Sequence, residues 1–224
     1  MRHKDPDTSF KCPPHNLPKQ YILVIPRDGE KARTLLNQNR LVQFLLDSFD
    51  IEILVPNLNH MCTLEDNIRF FRNARGFIST HGAAFTNMQF IEKPGIVIQL
   101  VPNSINPFHA AANSYAILAK RQGHQSYIIA ADSTKEPRWD MIFKPDHMLR
   151  IMCDKSQPNG VSKKFLSWHP AEGLVEKCAD LFNKNSNHNS SSSVSQHARL
   201  SPEKKFPSKV TTKSTSKSSK SKAH

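Results

Sequence analysis

Short apolar segments recur along most of the chain and alternate with longer segments in which apolar and polar positions are mixed. The short segments are rich in Val, Ile and Leu, and most of them stop at a proline or an aspartate. Continuous apolar runs of this length are typical of strands buried on both faces of a sheet. The predicted strands are residues 21–25, 51–55, 76–80, 96–101 and 127–131.

In the intervening segments, apolar residues return every three or four positions, which is the spacing of one face of an α-helix. Leu41, Leu45 and Phe49 show this spacing after the first predicted strand. Thr63 stands three positions before Asp66, a capping pattern that predicts a helix start. The predicted helices are residues 35–49, 64–74, 109–121 and 171–182, with another helix following His81, whereas residues 132–168 are predicted to be irregular.

Strands that alternate with helices at this spacing predict a parallel sheet covered by helices on both faces. Because crossover connections between parallel strands are right-handed, the expected arrangement is a Rossmann-like α/β fold. Ligands of such sheets bind at the carboxyl ends of the strands. The residues that follow the predicted strands are therefore the first place to look for a site.

Composition divides the chain into three parts. Residues 1–19 are polar and proline-rich, which predicts a linker, and residues 20–184 form the predicted domain. Residues 185–224 consist mainly of Ser, Lys, Asn and Thr, so we expect a disordered tail that cannot bury an apolar core. The tail has eight basic residues and one acidic residue, which gives +7 of the total charge of +12 and leaves +5 for the rest. This distribution favours a solvated tail over a nucleic-acid partner.

The four cysteines, Cys12, Cys62, Cys153 and Cys178, show no CxxC spacing, and their even number permits disulfides without indicating a pairing. The chain contains no apolar run of 18 residues that would predict a transmembrane helix. The first 18 residues lack the apolar region of a signal peptide.

The segment 76–87, GFISTHGAAFTN, has the strongest indication of chemistry. A strand that ends at His81 and opens a helix at Ala83 presents backbone N–H groups at one point, where the helix dipole also favours an anion. Gly82 lets the backbone approach a ligand closely. The segment therefore predicts an anion site, most plausibly for the diphosphate of a nucleotide. For this motif taken alone, the alternative is a structural turn with a hydrogen-bonded histidine.

Two arginines, Arg27 and Arg33, follow the first predicted strand. On a Rossmann-like sheet they lie on the same rim as His81, and guanidinium groups match a diphosphate in charge and geometry. Each arginine taken alone is more simply a surface charge. The presence of both arginines beside the segment 81–83 favours a binding site.

Two tryptophans and three aspartates are weaker signals. Trp139 and Trp168 are candidates for stacking on a base or a sugar, although packing in the core or a cleft wall is the favoured interpretation. Asp140, Asp146 and Asp154 do not form a DxD metal motif. No metal site is therefore expected.

Several separated motifs occur along the chain: RTLLN at 33–37 and QNRLV at 38–42, NAR at 73–75, HGAAFTN at 81–87, Phe90, Pro94-Gly95, and IQLVP at 98–102. In their sequence and order, these motifs resemble glycosyltransferase family 61. The resemblance covers about residues 21–180.

The resemblance implies one half of a GT-B glycosyltransferase, the C-terminal half that binds the donor. It implies an enzyme of the EC 2.4 class that transfers a sugar with inversion, most plausibly N-acetylglucosamine from UDP-N-acetylglucosamine to a protein or a protein-linked glycan. No metal or other cofactor is expected, and the endoplasmic reticulum or Golgi lumen is the expected location. The acceptor half, the general base and any membrane segment are not found in this sequence, so we expect a portion of a longer enzyme or a truncated gene product.

By the same resemblance, Arg27 and Arg33 neutralise the diphosphate, and His81 with the amides of Gly82 and Ala83 stabilises the leaving group. Asn37 fixes the arginine loop or is an ordinary residue at a helix start. Gln99 stands where the family often has a glutamate that accepts hydrogen bonds from the ribose. The predicted donor-binding residues are Arg27, Arg33, Asn37, His81, Gly82, Ala83, Thr86 and Gln99, with His81 as the catalytic residue.

Two other functions remain open from the sequence. A non-catalytic module that binds a nucleotide or a glycan is favoured by Gln99 and by the missing acceptor half. A nucleic-acid binder that acts through the basic tail would show a steep dependence on salt concentration. Neither is preferred over the enzyme.

Overall fold

The computed structural model describes residues 17–25, 27, 33–56, 63–103, 110–134 and 139–189, without the side chains of residues 110–112 and 184–189. Within these residues, six strands form one sheet. The strands are β1 (Tyr21–Ile25), β2 (Glu52–Leu54), β3 (Ala74–Thr80), β4 (Ile96–Pro102), β5 (Gln125–Ser133) and β6 (Met141–Ile142).

Helices connect these strands and cover the sheet. The α-helices are α1 (Gln38–Leu46), α2 (Leu64–Arg72), α3 (Ala110–Arg121), α4 (Pro145–Met152) and α5 (Glu172–Asn189), and the 3-10 helices are Ala83–Phe90 and Lys163–Trp168. Helix α2 begins where its capping pattern predicts, because the Thr63 hydroxyl accepts a hydrogen bond from the Asp66 amide at 3.0 Å.

The strand order is β2-β1-β3-β4-β5-β6. Strands β1 to β5 pair in parallel, and only β6 is antiparallel to its neighbour. The chain passes from β1 outward to β2 and then returns to place β3 on the other side of β1. The strand order therefore reverses between β1 and β3, and such a reversal opens a crevice at the carboxyl ends of the strands.

Alternating side chains of the central strands enter two cores, one on each face of the sheet. Ile22 and Ile78 belong to the core that α1, α4 and α5 cover, and Leu23 and Phe77 belong to the core beside α2, α3 and the first 3-10 helix. These residues are at most 2% exposed. Burial on both faces explains why the strands read as continuous apolar runs.

Trp168 belongs to the first of these cores and not to a ligand cleft. Its side chain is fully buried, and its indole N–H donates to the Arg75 carbonyl oxygen at 3.1 Å. A Cβ at Gly76 would lie only 2.0 Å from the ring, so glycine is needed for the ring to pack flat on β3. The favoured interpretation of Trp168 as a packing residue is confirmed.

The predicted Rossmann-like α/β fold is confirmed, and three predicted elements need correction. Helix α1 begins at Gln38 rather than 35, because Leu35 forms a β-bridge with Met141. The helix after His81 is a 3-10 helix rather than an α-helix.

The third correction concerns residues 132–168, which are not irregular. They contain β6, α4 and a 3-10 helix. Pro145 occupies the first turn of α4, where a proline costs no backbone hydrogen bond. The proline that suggested irregular structure therefore marks the start of a helix.

The C-terminal elements are joined by a disulfide between Cys153, at the end of α4, and Cys178 in α5. Cys12 and Cys62 lie outside the described residues. Helix α5 continues to Asn189, past the predicted helix end at 182. Among the described helices, none is long and apolar enough to cross a membrane. The predicted domain limits and the disorder of the tail stay predictions.

Candidate functional site

The structure brings Arg27 and His81 into contact at the reversal of strand order. Arg27 follows β1 and His81 follows β3, and these strands pair in parallel. The Arg27 Nη1 group donates to the His81 carbonyl oxygen at 3.1 Å. A guanidinium is thus fixed at the crevice that this topology opens, and it lies beside the start of a helix.

Gly82 lies against the Arg27 side chain. Its φ of 167° and ψ of −176° are extended values that any residue can adopt. A Cβ at this position would lie 2.8 Å from Arg27 Nη1. The missing side chain therefore makes room for the arginine, whereas a close approach of the backbone to a ligand stays a prediction.

The backbone of Arg33 adopts an unusual conformation. Its φ is 75°, in the left-handed region that costs an ordinary residue on the order of 1 kcal/mol. Burial lowers the pKa of Arg33, the positive charge of Arg27 lowers it further, and Tyr115 opposes the shift. The two guanidinium groups repel each other at this point, so an anion between them would lower the energy of the site.

The His81 ring is held by aromatic contacts. The Tyr115 ring, on α3, meets it edge to face with a centroid distance of 5.5 Å, and Phe85 lies 5.4 Å from Tyr115. The backbone amide of His81 donates to the Leu100 carbonyl oxygen at 2.9 Å, which extends the pairing of β3 with β4. Both the main chain and the ring of His81 are therefore anchored at the edge of the sheet.

Asn37 anchors the chain that follows Arg33, as one of its two predicted roles requires. Its amide nitrogen donates to the Phe143 carbonyl oxygen at 2.9 Å, and its oxygen accepts from the Phe143 amide at 2.7 Å. Both polar atoms of the side chain are engaged with one backbone unit. Asn37 therefore supports the arginine loop from behind, and its side chain is not directed at a ligand.

Thr86 and Ala83 belong to the 3-10 helix after His81. The Thr86 hydroxyl donates to the Ala83 carbonyl oxygen at 2.8 Å, which commits its proton to the helix itself. Ala83 is the first residue of this helix. Since 3-10 hydrogen bonds join residues three apart, the first amides of such a helix have no partner within it.

Gln99 is level with the site but buried. The register places it beside Ser79, which in turn pairs with Ile25 at the end of β1. Only 2% of Gln99 is exposed. The predicted contact with ribose stays a prediction, and the structure does not bring Gln99 to the surface beside Arg27.

Sequence reasoning missed two residues of this region, Tyr115 and Asp140. Tyr115 lies within the predicted helix 109–121 without an assigned role, and Asp140 was considered only for the absent DxD metal motif. Asp140 is 6% exposed and accepts a hydrogen bond from the Thr34 amide at 3.0 Å. No local sequence signal joins residues that lie about a hundred positions apart. In the sequence, Asp140 stands out only as an aspartate that precedes two apolar residues, Met141 and Ile142.

Within the part of the chain that the structure describes, no group of three His, Cys, Asp or Glu residues is arranged to hold a metal ion. His60, Cys62 and His109 lie outside the part of the chain that the structure describes. The arrangement at the crevice is built from cations, an imidazole and backbone amides, which is a donor set for an anion.

Comparison with protein families identifies one match. Residues 7–98 match the family model described as Glycosyltransferase 61. The matched segment contains every predicted site residue except Gln99, which lies one position beyond it.

The similar curated proteins are glycosyltransferases. Protein O-linked-mannose beta-1,4-N-acetylglucosaminyltransferase 2 of Homo sapiens is 31% identical over 93 residues, which is 42% of this chain and 16% of that protein. The Xenopus laevis protein of the same name is 27% identical over 121 residues, 54% of this chain and 20% of that protein. A xylan glycosyltransferase of Arabidopsis thaliana is 27% identical over 147 residues, 64% of this chain and 27% of that protein. The chain therefore spans about a fifth of the length of the relatives that it matches.

Proposed function

We propose that this chain is a member of glycosyltransferase family 61, whose model matches residues 7–98, and that it binds the diphosphate of a nucleotide-sugar donor for glycosyl transfer. The contact between Arg27 and His81 at the strand reversal supports the proposal most directly. The first described relatives are named as transferases of N-acetylglucosamine, so UDP-N-acetylglucosamine is the proposed donor.

The cations have the role of neutralising the donor. A diphosphate carries negative charge on several oxygens, and guanidinium groups bind such oxygens through paired N–H donors. Arg27 donates to a carbonyl oxygen, whereas burial lowers the pKa of Arg33 and electrostatic repulsion from Arg27 lowers it further. Occupation by the donor would replace this repulsion by attraction.

His81 and the following amides act on the leaving group. The acceptor hydroxyl oxygen attacks C1 of the sugar while the bond from C1 to the diphosphate oxygen breaks, and that bond's electrons leave with the diphosphate. The hydroxyl proton passes to a general base on the acceptor side. Attack opposite the leaving group inverts C1. The His81 imidazole and the amides of Gly82 and Ala83 stabilise the charge that develops on the diphosphate.

The chain would supply the donor half of a GT-B transferase, and the acceptor would be a protein or a protein-linked glycan. The single Rossmann-like sheet supports the first statement, because the GT-B arrangement has two such halves. The printed names of the relatives support the second. The disulfide between Cys153 and Cys178 supports a location in the endoplasmic reticulum or Golgi lumen, where disulfides persist. Any membrane attachment would come through a segment not found in this sequence.

A non-catalytic binding module is the second candidate. Gln99 favours it, because an amide offers one acceptor oxygen where a glutamate offers two, and it is buried. The two candidates differ in turnover. An enzyme releases UDP from UDP-N-acetylglucosamine in the presence of an acceptor, whereas a module binds the donor without releasing UDP.

Calorimetric titration with UDP, UMP and GDP tests the proposed site. Wild-type protein should bind UDP more tightly than UMP, because the second phosphate adds charge-assisted hydrogen bonds of about 1.5–3 kcal/mol. R33A and H81A should weaken UDP binding at least roughly tenfold, which is about 1.4 kcal/mol. R121A, at an exposed position at the end of α3, removes the same charge away from the site and should bind UDP like wild type. Equal affinity for UDP in H81A and wild type would contradict the assignment.

A further inference from the structure

The chain that follows Arg33 is docked along a second segment from far down the sequence. The Met141 amide donates to the Thr34 carbonyl oxygen at 2.7 Å, and the Leu36 amide donates to the Met141 carbonyl oxygen at 2.9 Å. Asn37 closes the far end through its two bonds to Phe143. Residues 34–37 therefore lie against residues 140–143 as a short parallel pair.

Asp140 closes the near end of this pair, next to Arg33. Its Oδ1 accepts from the Thr34 amide at 3.0 Å, and Thr34 directly follows the arginine. The contact joins residues 106 positions apart, and Asp140 is 6% exposed. It is thus the last buried attachment before the left-handed backbone of Arg33.

Asp140 is itself fixed on the sheet. Its amide donates to the Thr134 hydroxyl at 3.0 Å, and its carbonyl oxygen accepts from the Thr134 amide at 2.8 Å. Thr134 follows β5, and Met141 next to Asp140 pairs with Ser133 at the end of that strand. The carboxylate is therefore held by the sheet, and it can impose a position on the arginine loop.

We propose that Asp140 is a positioning residue for the diphosphate site: by accepting from the Thr34 amide, it holds Arg33 where the anion binds. This inference rests on the proposed function. The Asp140 Oδ1 faces the backbone of Thr34, so the proposed role is to position Arg33 rather than to bind the ligand. A strained φ persists only where its surroundings impose it, and the bond at Thr34 is one such restraint, at the residue next to Arg33.

The acceptor oxygen, and not the negative charge, is what this role requires. An asparagine has nearly the same shape and presents an oxygen that can accept from Thr34, whereas an alanine leaves the amide without this partner. The loss of a negative charge near a site for an anion also favours binding of that anion. D140N and D140A thus separate geometry from charge.

The test is a titration of the full chain with UDP, combined with trypsin cleavage after Arg33. D140A should weaken UDP binding roughly tenfold or more and should increase the cleavage rate between Arg33 and Thr34. D140N should bind UDP as tightly as wild type or more tightly, with a cleavage rate near that of wild type. T63A, which removes the cap of α2 and costs about 1 kcal/mol, controls for general destabilisation and should leave both readouts unchanged.

The outcomes separate the two proposals. Wild-type affinity in D140A, or equal losses in D140A and D140N, would overturn the positioning role while leaving the diphosphate site standing. Equal losses of affinity in D140A and T63A would reduce Asp140 to a stability effect and overturn the role as well. If a folded wild-type chain does not bind UDP, the proposed function fails and the role of Asp140 falls with it, even where D140A accelerates cleavage after Arg33.

Discussion

Among the described residues, Arg27 binds a main-chain oxygen, that of His81, and no acidic side chain. A carboxylate partner would neutralise the guanidinium, whereas a carbonyl oxygen only orients it. A guanidinium has five N–H donors, so one bond to His81 is compatible with paired contacts to a phosphate. The His81 carbonyl oxygen therefore orients the Arg27 guanidinium without neutralising its charge.

Replacement of Gly82 tests this arrangement with little cost to the fold. G82A places a Cβ 2.8 Å from Arg27 Nη1, and the mobile end of the arginine has to move away. UDP affinity should fall about tenfold, or about 1.4 kcal/mol. The free energy of unfolding should change by less than about 0.5 kcal/mol, as for surface substitutions. Calorimetry and thermal unfolding measure the two quantities.

Gly123 provides the matched control. Its φ is 83°, and the nearest atom to a Cβ there lies at 3.8 Å, so G123A meets backbone strain without a clash. G123A should cost about 1 kcal/mol of stability and leave UDP affinity unchanged. If G82A binds UDP like wild type, Arg27 does not need its position against His81.

The identities of the site residues followed from the sequence more readily than their contacts did. Arg27 and His81 each stand within two positions of a predicted strand end, and parallel pairing brings these ends together, whereas Arg33 follows the first predicted strand eight positions later. The contact of Gly82 with Arg27 was not predicted, because the two residues lie 55 positions apart in the sequence. Asp140 could not be found, since its role depends on a bond to a backbone amide that no motif records.

The elements around the site differ in how they are held. The turn before β4 is tied to the end of α3, because the Gly95 amide donates to His124 Nδ1 at 3.1 Å. The Gln125 amide donates back to the Gly95 carbonyl oxygen at 2.9 Å. These bonds join the starts of two central strands at the edge opposite the site, and the bond from Gly95 requires an unprotonated Nδ1 on His124.

Stability should therefore depend on pH through His124. Burial lowers the pKa of His124 below its ordinary value near 6.5, and the charge of Lys93 lowers it further against an opposing backbone hydrogen bond at Met88. Below pH 6.5 the unfolded chain takes up a proton that the folded chain resists. As the pH decreases from 6.5 toward the pKa of His124 in the folded chain, the free energy of unfolding should therefore decrease, whereas above pH 6.5 this contribution should be constant. Urea unfolding between pH 7.5 and 5.5 measures this dependence.

The variant H124N isolates the effect. Asparagine can accept from the Gly95 amide through its oxygen but does not titrate. H124N should lose less stability than wild type over the same pH interval. An identical pH dependence in the two proteins would show that another group is responsible.

Helix and strand positions were predictable where their local signals agree with the fold. The cap at Thr63 and the apolar runs of β1 and β4 gave element types correctly. The prediction for residues 132–168 was wrong because β6 has two residues and helix α4 has eight, and elements this short do not show a periodic pattern. The start of α1 failed because Leu35 pairs with Met141, a tertiary contact that overrides helical spacing.

At the scale of the whole molecule, the sheet order explains why the site lies where it does. Strands β1 and β3 are neighbours, yet the helices that follow them leave in opposite directions, toward α1 and toward the 3-10 helix Ala83–Phe90. The crevice between these departures receives Arg27 from one side and His81 from the other. The alternation of elements predicted a parallel sheet, but the order that creates the crevice depends on pairings that only the structure gives.

The most direct test of the central claim is amide hydrogen exchange of the full chain with and without saturating UDP. We expect slower exchange in peptides that cover residues 33–37 and 79–86, with unchanged exchange at β2 and α5. Peptides from residues 190–224 should not change, since the proposed site contains no residue of this segment. Protection confined to that tail, or its absence from both predicted segments in the presence of bound UDP, would contradict a donor site at the reversal between β1 and β3.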